Sequence, residues 1–341
     1  MANFTTTQIR KVIAKAQGSF AGAENREGTN SVAKLMFVNE SSAFQNAAAL
    51  KESLTQPTEA ILQKKSALTL AGNKAAAHTG SLGDAFTNAI TYVQKSAKFK
   101  VSYKVAENNN FGYQEQLNQG LVNAMSSLRG GMNAYAIAQL AALKTQVATG
   151  GLLTWDGVNF KFKNTAGDAN IVKQASRIKA SARKNKYGGA LDIVGGQQLV
   201  ADLVHNSAQG TANATNYGYQ FGGLSIAEDE TIDEATLGAN GFGYFIPSGL
   251  VGMTSWNEPI NRSGEGEVDT NQGMFTTIAD PMIAGLTYDV HIKRGLSDTS
   301  DGVTTFYQDV VDEYEVTAIY SLSHAMISTA NETPIFAFEQ L

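Results

Sequence analysis

The chain has 341 residues, 26 Lys+Arg against 31 Asp+Glu, a formal net charge of −5 and no cysteine. This length supports a buried core in one large or two modest domains, and the missing thiols exclude disulfide scaffolds, thiolate nucleophiles, Cys-based zinc sites and iron–sulfur clusters. No apolar run reaches the roughly 18 residues of a spanning helix, and Arg10, Lys11 and Lys15 interrupt the apolar residues of the N-terminus, so a soluble chain with no membrane partner and no targeting segment is expected.

Charged residues make up 17% of the chain, below the roughly 25% usual for soluble domains, and 46 Ala, 33 Gly, 25 Asn and 19 Gln fill the gap. A surface of small uncharged groups suits contact with other protein. The charge is also split, with +13 over residues 1–187 and −18 over 188–341. Such a split fits a basic part facing nucleic acid, oppositely charged surfaces of neighbouring copies, or two solvated faces.

Residues 1–50 read as an arm in which only Ile9, Val12, Ile13 and Ala16 keep helical spacing. From Gln63 to Asn110 the pattern becomes a long two-stranded excursion, ending where Phe99, Val101, Tyr103 and Val105 alternate with Lys98, Lys100, Ser102 and Lys104. An isolated hairpin is marginal in water and needs a surface to lie on. The strongest periodic signal follows: Leu117, Leu121, Met125, Leu128, Met132, Tyr135, Leu140, Leu143 and Val147 predict one long amphipathic helix. Gly130 and Gly131 within it, each costing roughly 1 kcal/mol against Ala, predict a bend or close packing.

Leu152 to Phe162 reads as a hairpin turning at Asp156-Gly157. Asp168 then caps a predicted helix with the apolar stripe Ile171, Ala175, Ile178 and Ala182 and a basic face of Lys173, Arg177, Lys179, Arg183, Lys184 and Lys186. Ala190 to Val194 and Gln197 to His205 form a strand-to-helix unit. Further strands are expected at Tyr219–Ile226, Phe242–Ile246, Met282–Ile292 and Tyr314–Leu322.

Catalytic and metal-binding patterns are weak. His78, His205, His291 and His324 share no ligand spacing. Gly238, Gly241 and Gly243 have the wrong order for a nucleotide loop, and Asp298, Ser300, Asp301 and Gly302 lack the closing Glu of a calcium loop. The acidic run Glu228–Glu234 reads as a solvated stretch. No catalytic residue, cofactor or metal is expected. The basic face 173–186 has the charge to track phosphates but no interleaved aromatics to stack bases.

The order of these parts carries the resemblance. The stretch Gln63 to Val147, with its His78-Thr79-Gly80-Ser81-Leu82-Gly83-Asp84 turn, the Phe99–Val105 strand, the Asn108-Asn109-Asn110 junction and the long helix, resembles the major capsid proteins of tailed bacteriophages, which share the Hong Kong 97 type fold. The resemblance implies an α+β chain divided into an N-terminal arm (1–60), an extended loop (61–107), a spine helix with the first part of a peripheral domain (108–167), an axial domain (168–262) and return strands of the peripheral domain (263–341). The strand-helix unit at Ala190–His205 and the segment Phe221-Gly222-Gly223-Leu224-Ser225-Ile226 fit the axial domain of that family.

It further implies a non-enzymatic, icosahedral shell of hexamers and pentamers around double-stranded DNA, assembled in the host cytoplasm and located in the virion. Scaffolding, portal and decoration proteins, and nonspecific contact with packaged DNA, complete the implied partners. Some members join Lys to Asn, and Lys64, Lys65 and Lys74 lie in the loop, but no spacing singles one out. A long N-terminal coiled segment of the scaffold kind is not evident. Two alternatives stand beside this reading: an encapsulin-type compartment shell of the same fold, and a nucleic-acid-binding protein using the face 173–186.

Overall fold

The computed structural model describes residues 30–44, 46–63, 85–103, 112–146, 153–155, 160–162, 174–185, 187–197, 199, 224–230, 232, 242–262, 267–269, 273–298, 308–325 and 332–339. The chain is α+β. Three short helices, α1 (Ser31–Val38), α2 (Glu40–Ala43) and α3 (Ala47–Glu52), lead to β1 (Glu59–Gln63), β2 (Ala85–Ala89) and β3 (Val93–Ser102). The 31-residue helix α4 (Tyr113–Leu143) follows, about 45 Å long at 1.5 Å per residue. Then come β4 (Leu153–Trp155), β5 (Phe160–Phe162), α5 (Gln174–Lys184), β6 (Leu191–Gly195), β7 (Leu224–Glu228), β8 (Phe242–Pro247), β9 (Val251–Ser255) and α6 (Pro259–Arg262). The chain ends with β10 (Glu267–Asp269), β11 (Gly273–Ala279), β12 (Thr287–Asp298), β13 (Gln308–His324) and β14 (Phe336–Glu339).

One six-stranded sheet runs β10-β11-β12-β13-β3, with β9 pairing the C-terminal end of β13. The other runs β4-β5-β14-β8-β6-β7, while β1 and β2 pair, among the described residues, only with each other. The apolar stripe of α4 explains how the first sheet is covered: Leu117, Leu121, Met125, Leu128, Met132 and Leu140 are buried in one core with Val290, Ile292, Tyr314, Val316 and Val101. One face of the second sheet, through Val194, Tyr244, Ile246 and Ala337, joins the same core. Its opposite face packs Leu191, Ile193, Phe245, Phe336 and Phe338 against Ile178 and Ala182 of α5. Period-two alternation along β6, β8 and β14 thus serves two cores at once.

The structure corrects three sequence expectations. The strand predicted from Phe99 is no arm of the excursion: β3 pairs with β13 from Val93↔Tyr320 to Ser102↔Val311, because its apolar alternates meet α4 and its lysines meet glutamates of β13. The separate two-stranded pair is β1 with β2, Gln63 lying opposite Ala85. Gly130 and Gly131 also make no close packing among the described residues, since a Cβ at either would have open space within 4 Å. The close approach lies at Gly120, where a Cβ would sit 2.9 Å from Cγ of Phe99 and closer still to its ring edge. Lastly, Met282–Leu286 is a turn, and the strand begins at Thr287 because Asp280 draws the chain around by accepting the N–H groups of Met282 (2.7 Å) and Ile283 (2.8 Å).

The hairpin β4–β5 forms as expected, Leu153 facing Phe162, while its turn at Asp156-Gly157 lies outside the described residues. The helix stripe is found at Ile178 and Ala182, both buried, whereas Asp168 and Ile171 also lie outside them.

Candidate functional site

The described parts that stand apart from the two main cores are the hairpin β1–β2, its root, and the outer face and edge of the first sheet. Local contacts hold the root. Ala60 and Ile90 are buried with Ala43 and Phe44 in a small satellite core, and the Ile90 N–H donates to the Thr58 carbonyl (2.8 Å). Before β1, the Ser53 carbonyl accepts from Trp256 Nε1 (3.2 Å) and Arg262 Nη2 (2.6 Å), and the Arg262 guanidinium lies 5.6 Å from the Trp256 ring centre. Asn88 Nδ2 donates to Ser323 Oγ (3.0 Å). Beyond this root, Glu59, Thr87 and Ala89 are exposed.

The junction of β3 with α4 is fixed by a polar cluster. Asp312 accepts from Tyr103 (2.8 Å), Tyr113 (2.7 Å) and Arg294 Nε (2.8 Å), and the Tyr113 and Tyr314 hydroxyls meet at 2.6 Å. Burial pushes the Asp312 carboxyl up, but these donors outweigh it and hold the group below the usual range. Burial and the neighbouring carboxylate raise Tyr103 to about 12. The cluster ties the N-terminus of α4 to three strands.

On the sheet face opposite α4, the register sets Phe275, His291, Glu315 and Lys98 in one row across four strands, and Lys293, Glu313 and Lys100 in the next. Lys98 pairs with Glu315 (3.3 Å) and Lys100 with Glu313 (2.7 Å). His291 stacks on Phe275, 4.5 Å between ring centres. Lys98, Lys100, His291 and Lys293 border an open groove of about 400 Å³.

These pairs change the meaning of the charge split. Lys98–Glu315, Lys100–Glu313 and Arg129–Asp280 each join the basic part of the chain to the acidic part, so some of the asymmetry is answered within the subunit.

The singled-out residues do not converge. His291 is on the outer sheet face, His324 is buried at the end of β13, and His78 and His205 lie outside the described residues. Among the described residues no group of three or more His, Asp or Glu is arranged to hold a metal, and no helix is long and apolar enough to cross a membrane. Gly243 sits inside β8, and Asp298 ends β12. The acidic run is only partly solvated: Asp229 is fully buried and accepts from Asn133 Nδ2 (2.9 Å), which joins α4 to the end of β7. Of the basic face, Arg183 and Lys184 are exposed and Lys179 is half-buried, while the side chains of Lys173, Arg177 and Lys186 lie outside the described residues. Lys64, Lys65 and Lys74 lie outside them as well.

No family model matches the sequence, and no curated protein matches it. Among solved structures, the chain is similar to one from Mycobacterium phage Adephagia, with 10% identity, 89% of this chain and 90% of that one covered, and a TM-score of 0.46. It is also similar to the capsid of a native GTA particle (12% identity, 86% and 91% covered, TM-score 0.44) and to the capsid of Myoviridae Phage XM1 (12% identity, 90% and 92% covered, TM-score 0.42).

Proposed function

We propose that this chain is the major capsid protein of a tailed bacteriophage, a non-enzymatic subunit that assembles with itself into an icosahedral shell around double-stranded DNA. The observation that carries the reading is the projection Glu59–Ala89. Among the described residues its two strands pair only with each other, are rooted by a small satellite core, and carry Thr87 and Ala89 exposed. A two-stranded ribbon is marginal alone in water, so its strands gain a purpose when a neighbouring copy supplies the surface. In this reading the projection is the extended loop and α4 the spine. The sheet of β3 and β13 is the peripheral domain, and the sheet of β6, β7 and β8 with α5 belongs to the axial domain. Assembly in the host cytoplasm, scaffolding, portal and decoration partners, and nonspecific contact with packaged DNA are part of the proposal.

Negative-stain microscopy of the purified protein, alone and with a co-expressed scaffold, tests it. Closed shells of uniform size are expected. A sharp monomer at high concentration under both conditions overturns it, and shells filled with protein cargo in place of DNA would assign a compartment instead.

A further inference from the structure

Among the described residues, the first sheet ends in two edges with no further strand, and these differ in character. At one end stands β3, whose ten residues bring Lys95, Lys98 and Lys100. At the other stands β10, whose three residues bring Glu267 and Asp269, with Glu265 just before them.

In an antiparallel ladder, alternate residues turn their N–H and C=O groups away from the partner strand. Ser102 identifies the outward set on β3, because the Gln116 side chain of α4 takes its N–H (3.3 Å) and donates to its C=O (3.4 Å). Gln94, Ser96, Lys98 and Lys100 share that parity. No described backbone group bonds to them from the open side, and Gln94, Ser96, Lys98 and Lys100 are all exposed. The helix therefore closes the last position of this edge and leaves four open.

An open edge of this length is a template for another strand. Lys98 and Lys100 are answered by Glu315 and Glu313 of β13, while Lys95 pairs with no described carboxylate, so the edge keeps a positive charge that disfavours a second β3 edge and admits an acidic one. The acidic edge available to the chain is its own β10 on the far side of the same sheet.

We propose that β3 of one copy pairs edge-to-edge with β10 of the next, extending the sheet from subunit to subunit. Because the two patches differ, the contact is head-to-tail and closes into rings when the rotation between copies allows. This rests on the self-assembling reading above and adds to it which strands meet.

The chain has no cysteine, so engineered pairs report without background. Residues facing each other across an antiparallel ladder lie about 4.5 to 5.5 Å apart at Cα, within disulfide reach. Cysteine is placed at Gln94, Ser96 or Lys98, each combined with Val268→Cys, and both the assembled particles and the concentrated soluble protein are oxidised. At least one pair is expected to give a ladder of covalent multimers, while every single-cysteine variant stays monomeric on a denaturing gel. Particles that form with no such ladder overturn the edge pairing and leave the capsid reading standing. If no particles form, the soluble protein decides: a ladder there supports the pairing without the shell, and its absence ends both. Cross-linking of Ser96→Cys alone would show symmetric β3–β3 pairing and equally refute the proposal. Ser96→Pro gives a second readout, since its N–H points outward and the ladder to β13 is kept. Assembly should fall at least tenfold, with the melting temperature of the subunit nearly unchanged. Normal assembly of this variant would contradict the pairing.

Discussion

Arg129, midway along α4, meets Asp280, in the turn after β11, at 2.8 Å, and neither side chain reaches solvent. Asp280 also accepts from the Tyr288 hydroxyl (2.6 Å) and from the N–H groups of Met282 and Ile283. The pair therefore fixes the middle of α4 against the first sheet. Removing one partner strands a buried charge, which costs about 3–5 kcal/mol, while the intact pair is worth far less than that. Arg129→Met should lower unfolding stability in urea by this amount, and Arg129→Met with Asp280→Asn should recover part of it. A single-variant loss under 1 kcal/mol would contradict the burial of the pair.

Gly120 and the Gly130-Gly131 pair should respond in opposite directions. A methyl at Gly120 drives into Phe99, whose ring is stacked on Tyr314 at 4.9 Å and must give up that stacking to move away. Overpacking of this kind costs about 1–3 kcal/mol, more than the roughly 1 kcal/mol helix preference returns. Gly120→Ala should lower the melting temperature. Gly130→Ala and Gly131→Ala, which meet open space within the subunit, should raise it. Thermal denaturation of the three variants, read side by side, checks the sign of each.

His324 sits at the end of β13 with 5% of its surface exposed, and burial holds its imidazole below the ordinary value, with the Ala325 carbonyl acting weakly the other way. The folded chain thus resists a proton that the unfolded chain accepts. Its contribution is fully present above about pH 6.5 and is lost as pH falls from there toward the lower folded value. Stability measured in urea should drop between pH 7.5 and pH 5.5, and His324→Gln should flatten that drop. An unchanged slope would place the linkage elsewhere.

The hairpin can be shortened without disturbing its root, because Gln63 faces Ala85 directly. Replacing residues 64–84 by Asn-Gly closes the ladder with a two-residue turn. The subunit should melt within a few degrees of the parent, since Ala60, Ile90 and the Ser53 contacts remain, while shell formation should be lost. A destabilised variant that still assembles would reverse the assignment of the hairpin.

Periodicity made α4 legible, because burial at three- and four-residue steps leaves a stripe that survives any tertiary detail. Alternation likewise revealed β3 and β13 as strands. It could not say which strands pair, so β3 was read with the hairpin that precedes it when its lysines in fact answer Glu313 and Glu315, more than 200 residues away. β9 left no signal because all five of its residues are buried on both faces, which erases the alternation. Arg129 and Asp229 look solvent-bound in sequence, one beside a helix stripe and one in an acidic run, and only their partners Asp280 and Asn133 reveal them as interior. A two-stranded excursion after residue 60 was legible, but its root and its second strand were not, since both are defined by contacts distant in sequence. The two sheet edges were not, since an edge is defined by what does not pair with it.

The Ser53 carbonyl, gripped by Trp256 and Arg262, has a mechanical consequence. From Arg262 the linkage continues to the Asn257 carbonyl (2.7 Å) and from the Asn257 amide to Asp289 (2.8 Å) in β12. A pull on the hairpin therefore enters the first sheet at two places, along the chain from β2 into the edge strand β3 and through this linkage into the central strand β12. Strands loaded one at a time from an edge peel apart in sequence, whereas a load entering several strands together must break many bonds at once. Tension arriving through the hairpin is thus shared between the edge of the first sheet and its middle.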